Sequence, residues 1–269
     1  MGVVNITTDS FYDGGRYAQP DLALAHALEL IEQGADIVDI GGESTRPGAS
    51  PVSEQDELAQ VIPVVEGLAK QVTIPISVDT TKSCVAQRAL DAGASIINDV
   101  SALRHDPQMA SVIARCGAAV VLMHMQGTPQ TMQLAPHYSD VVGEVSKFLE
   151  ERMEIAVHAG IARTNILLDP GFGFGKLVHH NLELLRGLPS LTALNRPLLV
   201  GLSRKGFIGR IVEKSVVHRE WGTAAAVALA VDRGAHIVRV HDVAMMIDVV
   251  KMAAALNPCW SSWGQEHDA

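Results

Sequence analysis

The sequence predicts an α/β chain in which strands and helices alternate, on three observations. Short runs of Val, Ile and Leu recur along the whole length. Several are introduced by a glycine that closes a helical stretch. Nearly every run ends in a polar cluster. A near-continuous apolar run of four to six residues suits a strand buried on both faces. Glycine suits the left-handed turn just past a helix.

Taken in order, strands are expected at 3–7, 36–40, 74–79, 95–97, 119–123, 166–168, 197–202 and 236–238. The glycine leads are Gly34, Gly93, Gly117, Gly160 and Gly234; the strands at 3–7, 74–79 and 197–202 have none. Helices are expected at 21–33, 54–70, 82–92, 107–116, 139–159, 178–187, 205–213 with 219–233, and 242–256. In the first, Leu22, Ala25, Leu28 and Ile31 make one apolar stripe at helical spacing. Alternation of this kind gives parallel strands with right-handed crossovers. Eight such units favour a closed (β/α)8 TIM barrel over an open sheet.

Length and composition agree. The chain has 269 residues, and such a barrel typically needs roughly 250. One domain is therefore expected over 1–256, with a polar C-terminal tail at 257–269. Acidic residues exceed basic ones, 30 against 21, for a net charge of −9. That argues against a nucleic-acid partner, which needs a basic face. Hydrophobic residues at 48% are enough for a large core. The longest aliphatic run, 224–231, is far short of a membrane span. Cys84, Cys116 and Cys259 are odd in number and scattered, which points to a reducing compartment such as the cytoplasm.

In a barrel of this kind the C-terminal ends of all strands share one face. The residues expected there are Asn5, Thr7, Gly41 to Arg46, Asp79, Asn98, His124, Asp169, Ser203 to Lys205, Arg239 and His241. One buried Asp at a strand end is usually structural, whereas polar groups ending almost every strand indicate a site. The set divides by charge. Asp79, Asn98 and Asp169 are acceptors suited to a flat heterocycle bearing an amino group and ring N–H donors. Arg46, Arg204, Lys205, Arg239 and His241 are suited to phosphate. Asn5 can add an oxygen to a hydrated Mg²⁺ that is held mainly by phosphate and water. The segments Gly41-Gly42 and Gly171 to Gly175 allow close backbone approach, and neither is a Walker or Rossmann loop. No activated nucleophile is evident around Ser203. His124 could be a base, but a core histidine is the commoner reading; Asp9 and Asp13 suit a closing loop or plain capping.

Eight segments, in order, resemble the dihydropteroate synthase family. They are the opening Met1 to Gly15, Gly41-Gly-Glu-Ser-Thr-Arg-Pro-Gly48, Ile76-Ser-Val-Asp-Thr80, Ile96-Ile-Asn-Asp99, Leu122-Met-His-Met-Gln-Gly127, Leu168-Asp-Pro-Gly-Phe-Gly-Phe-Gly-Lys176, Gly201-Leu-Ser-Arg-Lys205 and Ile237-Val-Arg-Val-His-Asp242. Each alone is weak, and eight in register across nearly the whole chain are specific.

The resemblance implies a (β/α)8 barrel that joins p-aminobenzoate to 6-hydroxymethyl-7,8-dihydropterin diphosphate with Mg²⁺, and a homodimer. It implies that Asp79, Asn98 and Asp169 grip the pterin edge and Lys205 its carbonyl side. Arg239 would stack on the ring and, with His241, hold the diphosphate; Asn5 would meet the diphosphate and its Mg²⁺. Thr45 and Arg46 would help bind that group from a loop, and Phe11, Pro47 and Phe174 would wall the aminobenzoate slot. Val100, Val121, Met123, Leu199 and Gly201 would line the pterin pocket. Loss of pyrophosphate would come first, which needs no protein nucleophile.

Two departures stand out. Thr8 replaces the family's usual Pro and frees the first loop. Gly206 replaces a hydroxyl or larger residue, leaving only a backbone N–H for a carboxylate at that helix start. Two rivals remain at this level. A pterin-binding methyltransferase barrel should not need Thr45-Arg46-Pro47 together with Ser203-Arg204-Lys205, and a non-catalytic pterin binder should not keep the diphosphate-handling residues.

Overall fold

The computed structural model describes residues 1–6, 19–45 and 48–257. Strands and helices alternate as the sequence predicts. β1 is Gly2–Asn5, β2 Val38–Gly41, β3 Ile76–Asp79, β4 Ile96–Asp99, β5 Ala119–Met123, β6 Ile166–Asp169, β7 Leu199–Gly201 and β8 Ile237–Arg239. The helices are α1 (Gln19–Glu32), α2 (Glu54–Ala69), α3 (Ser83–Asp91), α4 (Met109–Cys116), α5 (Val141–His158), α6 (Val178–Arg186), α7 (Leu188–Leu191), α8 (Gly206–Val212), α9 (Glu220–Asp232) and α10 (Val243–Leu256).

β1 to β6 form one parallel sheet in sequence order, and β7 pairs with β8. Single parallel bridges, Gly2 to Val240 and Leu168 to Leu198, join the two pieces at both edges. Backbone hydrogen bonds from Val3 to Val240 (3.0 Å) and from Leu168 to Pro197 (3.0 Å) complete those seams. The eight strands therefore close into a ring.

Most of the core lies between barrel and helices. Val4, Ile40, Val78, Ile97, Leu122 and Leu168 pack outward into it. A smaller cluster of Met1, Ile96, Val121 and Leu199 fills the barrel interior. All five glycine leads have φ between +64° and +115°, the left-handed region. Ser53 caps α2 by accepting from the Asp56 N–H, and Asp140 caps α5 by accepting from the Gly143 N–H.

Differences from expectation are local. The helix expected at 178–187 ends at Arg186, and a separate turn, α7, follows with Pro189 in its first turn. The strand expected from residue 74 starts at Ile76, after Pro75, which has no N–H for a ladder bond. The first residue of the expected tail is packed against the fold. Asn257 is buried, and its amide donates to the Asp232 carbonyl at 3.0 Å. Residues 258–269, with Cys259, lie outside the described residues, as do Thr7, Thr8, Asp9, Phe11, Asp13, Arg46 and Pro47. No described helix is long and apolar enough to cross a membrane.

Candidate active site

Strand register brings the polar groups together. Asn5 is level with Gly41, Gly41 with Asp79, Asp79 with Asn98, Met123 with Asp169, and Gly201 with Arg239. Each pairing is between neighbouring parallel strands, so the groups converge at the C-terminal mouth. One cleft there is lined by Thr45, Asp79, Asn98, Asp169, Lys205 and Arg239. Val100, Met123, Phe172, Phe174 and Gly201 supply its remaining walls. Val121 and Leu199, expected in this lining, instead belong to the interior cluster beneath it. They share the inward face of β5 and β7 with Met123 and Gly201 but lie one layer deeper in the barrel.

The free cleft is nearly full, with about 20 Å³ of open space. That is room for about one water. Two cations fill it. Arg239 donates from Nε to Asp39 at 2.6 Å and from Nη2 to Asp79 at 3.2 Å. The Lys205 ammonium lies 4.2 Å from the centroid of the Phe174 ring. A larger cavity of about 380 Å³ shares Thr45, Asp79 and Val100 with the cleft.

The electrostatics follow from burial among mixed charges. Burial raises the Asp79 carboxyl to about 8, against the pull of Arg239. Burial also raises Asp169, while a hydrogen bond from the Gly171 N–H (2.7 Å) and the nearby lysines oppose it. Desolvation lowers Lys205 to about 8, partly offset by Asp169. Two acidic groups, Asp79 and Asp169, thus share the mouth with Arg239 and Lys205, and Asp39 lies one layer below them.

The loop from Gly171 to Gly175 is pinned at close quarters. Gly171 has φ +69°, and a Cβ there would lie 1.9 Å from the His124 carbonyl oxygen. Lys176 is buried below the loop and donates to the carbonyls of Gly171 (2.9 Å) and Phe174 (3.1 Å). Its Nζ also lies 2.9 Å from His124 Nδ1. Burial lowers Lys176 to about 7. Burial and the Lys176 charge lower His124 to about 2, so its ring is neutral and a poor base. His124 is the core histidine of the commoner reading, packed edge-on to Phe148.

Arg204 does not join the cationic set. Its backbone is left-handed (φ 59°), which turns the side chain away into a two-point pair with Asp242. His241 lies two residues beyond β8, with Nδ1 3.0 Å from Ser203 Oγ, and is not part of the cleft lining. Asn5 is exposed at the end of β1, beside Gly41. Gly206 opens α8, next to Lys205. No group of three or more His, Cys, Asp or Glu among the described residues could hold a metal. Asn5 alone fits only an ion that arrives with most of its own oxygen ligands.

Sequence reasoning missed Asp39, Lys176 and Phe172. A carboxylate inside the apolar run 36–40 was the signal for the first. A lysine closing a glycine-rich loop was the signal for the second.

A barrel mouth of this design, with acceptors for a flat ring beside cations for an anion, is that of a pterin-binding enzyme. The sequence profile described as "Pterin binding enzyme" matches residues 1–241. The dihydropteroate synthase of Bacillus subtilis is 48% identical over 256 residues, which is 95% of this chain and 87% of that protein. That of Escherichia coli is 46% identical, over 95% of this chain and 90% of the relative. Among solved structures, Yersinia pestis dihydropteroate synthase with a sulfonamide drug superposes with a TM-score of 0.90 at 45% identity, over 94% of this chain and 92% of that one. The Xanthomonas albilineans enzyme in complex with 7,8-dihydropteroate gives 0.86 at 46% identity, over 96% and 92%. The chain belongs to the dihydropteroate synthase family.

Proposed function

We propose that the chain condenses 6-hydroxymethyl-7,8-dihydropterin diphosphate with p-aminobenzoate, giving 7,8-dihydropteroate and pyrophosphate. The observation that carries this reading is one cleft holding Asp79, Asn98 and Asp169 opposite Lys205 and Arg239. Asp79, Asn98 and Asp169 accept hydrogen bonds from the pterin amino group and ring N–H groups. Lys205 leaves the Phe174 face and donates to the pterin carbonyl side. Arg239 gives up Asp79, stacks on the ring and, with His241, holds the diphosphate. Arg46 and Thr45 add contacts from their loop, and Phe11, Pro47 and Phe174 wall the aminobenzoate slot. The Gly206 N–H meets the aminobenzoate carboxylate.

Asn5 would be the protein contact for Mg²⁺, which would supply charge neutralisation for the leaving pyrophosphate. The carbon–oxygen bond to the diphosphate breaks first, and the cations stabilise the departing anion. The aniline nitrogen then attacks the exocyclic carbon and its proton leaves to water. No nucleophilic side chain is required.

The apolar side chains Trp221, Leu229, Met252 and Leu256 stand exposed on α9 and α10, which supports a homodimer through this helical side. The free thiols Cys84 and Cys116 suit the cytoplasm.

The test is to incubate purified protein with pterin diphosphate, Mg²⁺ and p-aminobenzoate. Pyrophosphate release that depends on p-aminobenzoate is expected, and chelation should lower it without weakening a pterin that lacks the diphosphate. Tight pterin binding without turnover would replace the enzyme with a binding protein. Methyl transfer to a corrinoid acceptor would replace it with a methyltransferase.

A further inference from the structure

Asp39 sits in the middle of β2 with no solvent exposure. A carboxylate so placed is costly unless its lone pairs are fully used. Three donors use them. Ser77 Oγ donates to Oδ1 at 2.6 Å. Asn98 Nδ2 (3.1 Å) and Arg239 Nε (2.6 Å) both donate to Oδ2. Two of those donors belong to side chains that line the cleft; Asp39 itself does not line it.

This arrangement has a chemical consequence. An amide side chain has one donor end and one acceptor end. With one Nδ2 hydrogen held by Asp39, the Asn98 amide is oriented with its oxygen turned away from Asp39 and open to a ligand. The guanidinium of Arg239 is held by Nε on Asp39 and by Nη2 on Asp79. If a ligand takes Asp79, the Nε bond still keeps the cation at the rim.

We propose that Asp39 is the positioning residue of the site, touching no substrate itself. It sets Asn98 as an acceptor toward the pterin, and it anchors Arg239 while Asp79 changes partner. The proposal rests on the pterin reading above, and it predicts polarity: the ligand group facing the Asn98 oxygen must donate.

The test is Asp39→Asn, which keeps the shape, removes the charge and puts a donor where an acceptor stood. Affinity is read by calorimetry with the pterin alcohol lacking the diphosphate, and turnover by pyrophosphate release. Pterin affinity should fall about 10-fold, as for one charged hydrogen bond, and kcat should fall by more, about 100-fold. KM for p-aminobenzoate should move less than 3-fold. Asn98→Ala should also cost about 10-fold in pterin affinity, and the double variant no more than either single, because both remove the same contact. Additive losses, an unchanged Asp39→Asn protein, or equal losses for both substrates in step with a lower Tm would each overturn the proposal. If Asp39→Asn does not fold, Ser77→Ala serves. It frees Oδ1 only and should weaken the pterin alcohol about 3-fold; no change would overturn the proposal. A parent protein that fails to bind pterin at all would instead sink the functional reading.

Discussion

Asp169→Asn should disable pterin binding while leaving the fold intact. Residue 169 ends β6, and Oδ1 accepts the Gly171 N–H at 2.7 Å. That N–H is fixed, because Gly171 is held in a left-handed turn against the His124 carbonyl. In the variant the amide oxygen must take the Gly171 contact. The amide nitrogen is then forced toward the ligand, where a pterin N–H already points. The loss has two parts: about 1.5–3 kcal/mol for the charged hydrogen bond, and about 1–3 kcal/mol for two donors left facing each other. Together they weaken binding by roughly 100-fold or more, since each 1.4 kcal/mol or so is tenfold. Calorimetric titration with the pterin alcohol measures it, beside a melting curve expected to stay within a few degrees of the parent. Affinity within 3-fold of the parent would show that the carboxylate does not face the ring, and the reasoning would fail.

Arg239→Ala should cut pyrophosphate release by about 100-fold or more, the scale of a lost transition-state donor, and weaken the pterin alcohol far less; equal losses would deny it a leaving-group role. The ligand-free protein should become more stable as pH rises above about 7 and 8, where the folded protein releases the Lys176 and Lys205 protons that the unfolded chain keeps to 10.5. The gain is roughly 1 kcal/mol per pH unit for each group. Burial of Asp79 acts oppositely below about 8, so urea midpoints should pass through a minimum near there, and Lys176→Met should flatten the rise on the alkaline side. Gly171→Ala should lower Tm by several degrees and impair both substrates, because its Cβ meets backbone rather than a movable side chain; a neutral result would mean the loop yields freely.

Much of the fold was legible because both of its periods are local. The glycine leads and the apolar runs need only neighbours in sequence to be recognised, whereas the stripe expected on α1 was placed on the wrong face: Leu22 and Ala25 are exposed, and Ala23, Ala27 and Leu30 meet the core. Strand ends were less legible, because Pro75 and the bridges at Gly2 and Leu168 depend on which strand lies alongside. The cleft residues Asp79, Asn98, Asp169, Lys205 and Arg239 could be read from their places after apolar runs. Asp39 could not, because its role depends on two partners 59 and 200 residues away along the chain. Arg204 was misread as a cleft cation for the same kind of reason. One left-handed residue turned it to Asp242, and nothing in Ser203-Arg204-Lys205 announces that turn.

Sequence by itself determined the alternation of elements, the eight units, the family and the chemical character of the mouth. The alternation and the polar strand ends follow from spacing, and the family from the residues of the eight ordered segments, all of which the chain carries wherever it goes. Tertiary structure alone decided which charges meet: Arg239 lies between Asp39 and Asp79, Lys205 rests on Phe174, and Lys176 is buried under its loop. Those pairings are set by distance in a poorly solvated space, where a few ångströms decide whether a carboxylate is paired, raised in pKa or free to hold a ligand.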